Sequence, residues 1–148
     1  MIEHSKEVAD ELGKLLAETY TTYLKTHNYH WNVTGPMFHS LHLLFEQQYT
    51  ELALAVDSIA ERIRALGAFA PGSYAAYSRL SRVRDDETVP DAATMLSTLA
   101  ADHRLIAERA NKVMKLAAKH EDEGTAALAS GRIEIHEKAA WMLSAHLQ

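Results

Sequence analysis

Apolar residues recur at steps of three and four along almost the whole chain, the spacing that lines one face of an α-helix. In the first stretch Val8, Leu12, Leu15, Thr19, Tyr23, His27 and His30 fall on one stripe, with Ser5 placed to cap its start. Thr34-Gly35-Pro36 breaks the pattern, because glycine admits backbone angles that other residues avoid and proline has no N–H to continue a helix. A longer stripe follows: Phe38, Leu41, Phe45, Tyr49, Leu52, Val56, Ile59, Ile63 and Leu66, closed by Gly67 as a C-terminal cap. Residues 68–89 carry Pro71-Gly72, a basic patch of Arg79, Arg82 and Arg84, and a short helix from Tyr74 to Leu80. Such a connection is too long for a tight turn and suits a crossover running the length of a bundle. Thr88-Val89-Pro90-Asp91 resembles a capping box with an early proline, and the stripe Met95, Leu99, His103, Ile106, Ala110, Val113 and Ala117 follows it. Glu121-Asp122-Glu123-Gly124 separates this helix from a fourth that ends near Leu147.

No strand pattern or low-complexity tract competes, and the four helices do not read as repeats. The expected fold is all-α: a ferritin-like four-helix bundle with a short helix in the long crossover between helices 2 and 3. A length of 148 residues fits a single domain over 1–148, and the hydrophobic fraction of 47% suits a globular core. No apolar run is long enough to cross a bilayer. The absence of cysteine excludes disulfides and thiolate metal sites. Met1-Ile2-Glu3-His4-Ser5-Lys6 lacks the basic-then-apolar plan of a signal peptide, so the expected location is the cytoplasm. A net charge of −5 has the wrong sign for holding nucleic acid through its phosphates.

Nine histidines is a high count for this length, and His27, His30, His39 and His42 cluster around the Thr-Gly-Pro break. Glu46 lies one turn beyond His42, and Asp57 and Glu61 are again spaced i, i+4 on the same predicted helix. Imidazoles with carboxylates form a ligand set for iron, manganese or zinc. The 15 residues from His42 to Asp57 span roughly 22 Å at about 1.5 Å per residue, whereas ligands sit about 2 Å from a metal. One chain with an unbroken helix cannot bring both halves to one ion. Two copies packed antiparallel about a two-fold axis near Glu51 and Leu52 would place His42 and Glu46 of one against Asp57 and Glu61 of the other. An ordinary ion pair between Asp57 or Glu61 and a neighbouring arginine is the plainer alternative. His27, His39 and His103 read as hydrogen-bonded packing residues, and His4, His120, His136 and His146 as surface residues. Trp31 and Trp141 read first as packing.

The segment Thr26-His27-Asn28-Tyr29-His30-Trp31-Asn32-Val33-Thr34-Gly35-Pro36-Met37-Phe38, with His42, Phe45-Glu46 and Asp57-Ser58-Ile59-Ala60-Glu61-Arg62, closely resembles the signature of the Dps family, the mini-ferritins of bacteria and archaea. The likeness continues through Ile133-Glu134-Ile135-His136-Glu137-Lys138 and Trp141, and so covers nearly the whole chain. It implies a hollow homo-dodecamer built from C2 dimers, with ferroxidase centres at the two-fold interfaces. His30, His42 and Glu46 would come from one subunit and Asp57 and Glu61 from its partner. Trp31 would be a neighbour of the centre that orders water or quenches radicals. Ferrous ions would be oxidised pairwise by hydrogen peroxide, or more slowly by oxygen, and stored as ferric mineral, protecting against oxidative damage. Zinc or manganese would compete with iron for the same ligands.

Two departures qualify the resemblance. Some relatives hold DNA through a lysine-rich tail, yet only Lys6 precedes the first helix and Ala145-His146-Leu147-Gln148 has none, which argues against direct DNA binding. Ala127 and Gly131 stand where relatives carry pore aspartates, so Glu121, Asp122 and Glu123 are the candidates for attracting incoming iron. A conventional ferritin-type di-iron site needs Glu-x-x-His motifs on two helices, and none occurs here. A nucleoid-binding protein with minor iron chemistry is the remaining alternative, disfavoured by the charge.

Overall fold

The computed structural model describes residues 3–148. Helix α1 spans Glu3–Asn32, α2 Phe38–Ala65, α3 Tyr74–Leu80, α4 Ala92–Lys119 and α5 Glu123–Ala145, and no strand occurs among the described residues. Helices α1 and α2 form one antiparallel hairpin and α4 and α5 the other. The hairpins join chiefly through α1 and α4, while α3 lies against α1 and α2 meets α5 at only a few positions. The all-α bundle and its short crossover helix are those the periodicity implies.

Local chemistry sets the ends. Gly35 adopts φ 111° at the α1–α2 break and Gly67 φ 98° just past α2, where Ala68 N–H closes onto the Ile63 carbonyl. Two expected caps differ. Ser5 lies inside α1, which already runs from Glu3, so it caps nothing. The α4 cap is Asp91, whose carboxylate accepts from Thr94 N–H at 2.8 Å, while Thr88 bonds back to Asp86. Pro90 therefore precedes the cap instead of following it.

Polar residues on the α1 core stripe are tolerated because they are satisfied locally: Thr19 and Thr26 each donate to the carbonyl four residues back at 2.7 Å. Two apolar clusters fill the bundle. One holds Leu12, Leu16, Ile59, Ile63, Ile106 and Val113; the other, around the α1–α2 break, holds Tyr29, Val33, Leu41, Phe45, Leu99 and Leu143. The second clamps the end of α1 onto the start of α2, and so fixes where His30 and His42 stand. Between the clusters sit buried charges, with Glu18 fully buried between Arg82 and Arg109, and Lys25 on Asp102 at 2.8 Å.

Candidate metal centre

His30, on the last turn of α1, and His42, on the second turn of α2, face each other across the Gly35 break. Their rings stack at 3.8 Å between centroids, with Phe38 stacked on the other side of His42 at 5.0 Å. Each Nδ1 lies 2.7 Å from the other residue's backbone carbonyl. A carbonyl only accepts, so both Nδ1 atoms carry hydrogen, and in the neutral ring Nε2 is the nitrogen with the free lone pair. The tautomer and ring orientation of both imidazoles are thus locked in the form that ligates a metal. Glu46 Oε1 lies 3.9 Å from His30 Nε2, with the glutamate side chain half exposed and His30 buried.

Asp57 and Glu61 stand further along α2, which runs unbroken from Phe38 to Ala65. At about 100° per residue, Asp57 lies about 60° round the helix from His42 and Glu61 about 100°, so all share one broad face with Glu46. Both are exposed, and neither forms a salt bridge among the described residues. The arginine that could have held them, Arg62, is instead committed to Asp122 at 2.8 Å and Thr125 at 2.9 Å. Among the described residues no three His, Asp or Glu side chains converge on one point within the chain. The structure pairs His30 with His42, sets Glu46 near His30, and leaves Asp57 and Glu61 apart from them on the same face.

The other histidines divide differently from their sequence reading. His27 is half-buried, sandwiched by Trp31 at 3.8 Å and Tyr49 at 4.3 Å, and burial lowers its pKa, with His30 adding to the effect. His39 is exposed, not a packing residue. His136 is fully buried, not on the surface: its ring nitrogen lies 2.8 Å from His103 Nδ1, and Arg132 donates to its Nε2 at 2.9 Å. Its partners come from another helix and from a guanidinium, which a search for nearby carboxylates misses. The side chain of His4 lies outside the described residues. Trp31 is 59% exposed and touches His27, not the paired histidines. Tyr49, read in the sequence only as a stripe residue, meets His30 edge-on at 5.1 Å.

Of the acidic turn, Asp122 is a structural residue. Burial works to raise its pKa, but hydrogen bonds from Thr125 and the Arg62 charge outweigh it and hold it low. Glu121 and Glu123 are exposed.

Residues 9–148 match the ferritin-like domain family. A DNA protection during starvation protein of Bacillus anthracis is 36% identical over 97% of this chain and 98% of its own length. A Dps protein from Bacillus brevis superposes with a TM-score of 0.96 at 31% identity, over 100% of this chain and 99% of that one.

This chain belongs to the Dps family.

A Dps protein from Vibrio cholerae, described as a member of the ferritin-like diiron-carboxylate superfamily, matches with a TM-score of 0.94 at 34% identity over 98% of this chain and 91% of that one. Among the described residues no helix of this Dps-family chain is long and apolar enough to cross a membrane.

Proposed function

We propose that this protein is a ferroxidase and iron-storage shell whose centres lie between two-fold-related subunits. The observation that carries the reading is the locked His30–His42 pair, with the Nε2 of His30 presented to Glu46. His30 Nε2 and Glu46 Oε1, 3.9 Å apart, are near enough for one ferrous ion to draw both side chains into its coordination. Asp57 and Glu61 are unpaired in salt bridges and displaced by about 22 Å along an unbroken helix, so a two-fold partner would supply them. Hard carboxylates favour ferric over ferrous iron, while neutral imidazoles keep the ferrous ion bindable. Hydrogen peroxide is the proposed oxidant, with oxygen slower. It accepts one electron from each of two ferrous ions, its O–O bond breaks, and with two protons both oxygens leave as water. Removing the electrons in a pair avoids releasing hydroxyl radical.

The family fold supports a closed dodecamer of such dimers, with ferric mineral inside and a cytoplasmic location. Zinc and manganese suit the same ligands and would compete. Trp31 would then act through His27 as a redox-active neighbour, and exposed Glu121 and Glu123 would draw iron inward, with Asp122 held by Arg62.

The test is anaerobic ferrous loading followed by peroxide, with ferric absorbance followed in wild type and in Asp57→Ala with Glu61→Ala. Loss of those carboxylates is expected to slow the fast phase by roughly 100-fold or more. Unchanged kinetics in the double variant would remove the assignment.

A further inference from the structure

From the paired histidines an unbroken series of aromatic contacts runs back along α1. Tyr49 meets His30 at 5.1 Å between centroids, and Tyr23 meets Tyr49 at 6.2 Å. Tyr23 meets Tyr20 at 5.7 Å, and Tyr20 in turn stacks on Tyr77 at 4.9 Å and meets Tyr74 at 6.4 Å. Tyr20, Tyr23, His27 and His30 share one stripe of α1, a run of roughly 15 Å. Among the described residues Tyr23 is the only ring that joins the two ends of the series. It terminates in a cleft of ≈330 Å³ between α1, α3 and the crossover, whose lining includes Tyr20, Tyr74, Tyr77, Lys25, Arg84 and Asp86. Tyr74 at its mouth is 71% exposed.

Tyr77 belongs to the apolar core and Tyr20 packs against it, but iron ligation does not use this row of phenols. The Tyr77 hydroxyl donates to the Pro71 carbonyl at 2.8 Å, which anchors the crossover, and the Tyr20 and Tyr74 side chains hydrogen-bond to each other. Tyrosine surrenders an electron only to a strong one-electron oxidant. The row is therefore suited to carry an oxidising equivalent outward, and unsuited to bring a low-potential electron in.

We propose that Tyr49, Tyr23, Tyr20 and Tyr74 relay one-electron oxidising equivalents from the iron centre to this cleft, where a small phenolic reductant is oxidised at a distance from the metal. The inference rests on the ferroxidase reading and adds to it a path and a second substrate class. A centre holding a single ferrous ion gives peroxide only one electron. The O–O bond breaks, one oxygen leaves as hydroxide, the iron becomes ferric, and the other oxygen remains as a hydroxyl-radical equivalent. That species takes an electron and the hydroxyl proton from Tyr49 and becomes water. Each following phenol gives up its electron and proton in turn and restores the one before it. At the cleft the Tyr74 radical takes an electron and a proton from the bound phenol, which leaves as a phenoxyl radical. Burial first, and then the neighbouring Tyr74 and Tyr23, raise the pKa of Tyr20, so this relay phenol keeps its proton until it is oxidised.

Assembled protein is loaded with less than one ferrous ion per centre and treated with peroxide, with guaiacol as the phenolic probe. Guaiacol oxidation is expected to fall at least roughly fivefold in Tyr23→Phe and to recover in Tyr23→Trp, since indole can also carry the radical. Freeze-quench electron paramagnetic resonance is expected to show a tyrosyl signal that Tyr74→Phe alters, with paired iron oxidation at full loading unchanged throughout. A second arm bypasses iron. The chain has no cysteine, so a photo-oxidant attached at Gln47→Cys, one residue along α2 from Glu46, can inject an oxidising equivalent without iron. Absence of ferric absorbance in wild type would count against the ferroxidase reading alone, because the photo-oxidant still interrogates the relay. Equal guaiacol rates, or equal photo-generated Tyr74 radical, in wild type and Tyr23→Phe would overturn the relay.

Discussion

His30 and His42 each spend one ring nitrogen on the other's main chain, and the sequence contains no sign of this. Their flanking of the Thr-Gly-Pro break was legible, because a break between two helices brings the residues on either side together. The reciprocal hydrogen bonds depend on the exact depth at which Tyr29, Leu41 and Phe45 pack, which no spacing encodes. The second imidazole pair escaped altogether. His103 lay visibly on an apolar stripe, but His136 read as surface because its partners, His103 and Arg132, sit on another helix and one turn back on its own. Burial first, and then the Arg132 charge, push the His103 pKa down to about 3, and His136 is lowered by burial and by His103. Both are neutral in the folded state, while in the unfolded chain they take up protons below ~6.5. Stability is therefore lost as pH falls from about 6.5 towards 3. In His103→Gln the slope of unfolding free energy against pH across that window, from urea titrations at fixed protein concentration, is expected to shrink by up to about one proton.

Helix α2 carries the decisive geometry because nothing interrupts it. It has no internal glycine or proline between Phe38 and Ala65, and its apolar stripe is continuous, so its length was readable from the sequence alone. Helix starts were less readable. Thr88-Val89-Pro90-Asp91 read as a capping box, but the cap of α4 is Asp91, while Thr88 is drawn to the Asp86 carboxylate, which also accepts from Tyr29 at 2.5 Å. Asp91→Ala removes the bond to Thr94 N–H and is expected to cost about 1 kcal/mol of stability, read from chemical denaturation. Iron oxidation should be unaffected, since the cap lies on a different helix from the proposed ligands. The buried charges Glu18, Lys25, Asp102 and Arg109 were equally hidden in the sequence: each sits at helical spacing among apolar neighbours, and only the packing of α1 against α4 and the crossover reveals its partner.

At the scale of the whole molecule, charge and symmetry govern what the protein can do. A shell of twelve chains at −5 each would carry about −60. Such a surface attracts ferrous ions and repels phosphate, so a low-salt gel shift with duplex DNA is expected to show no retarded band. Retardation at near-physiological salt would favour the DNA-binding alternative. Symmetry can be examined through subunit mixing. Chains with His30→Ala and His42→Ala keep their carboxylates, and chains with Asp57→Ala and Glu61→Ala keep their imidazoles. Each homomeric assembly should be inactive. In a mixed dimer one centre loses both halves and the other regains both. Random reassembly of equal amounts is therefore expected to restore about a quarter of the wild-type peroxide-driven ferric absorbance rate. Mixed assemblies, verified by mass, that remain as inactive as their parents would contradict a centre shared between subunits.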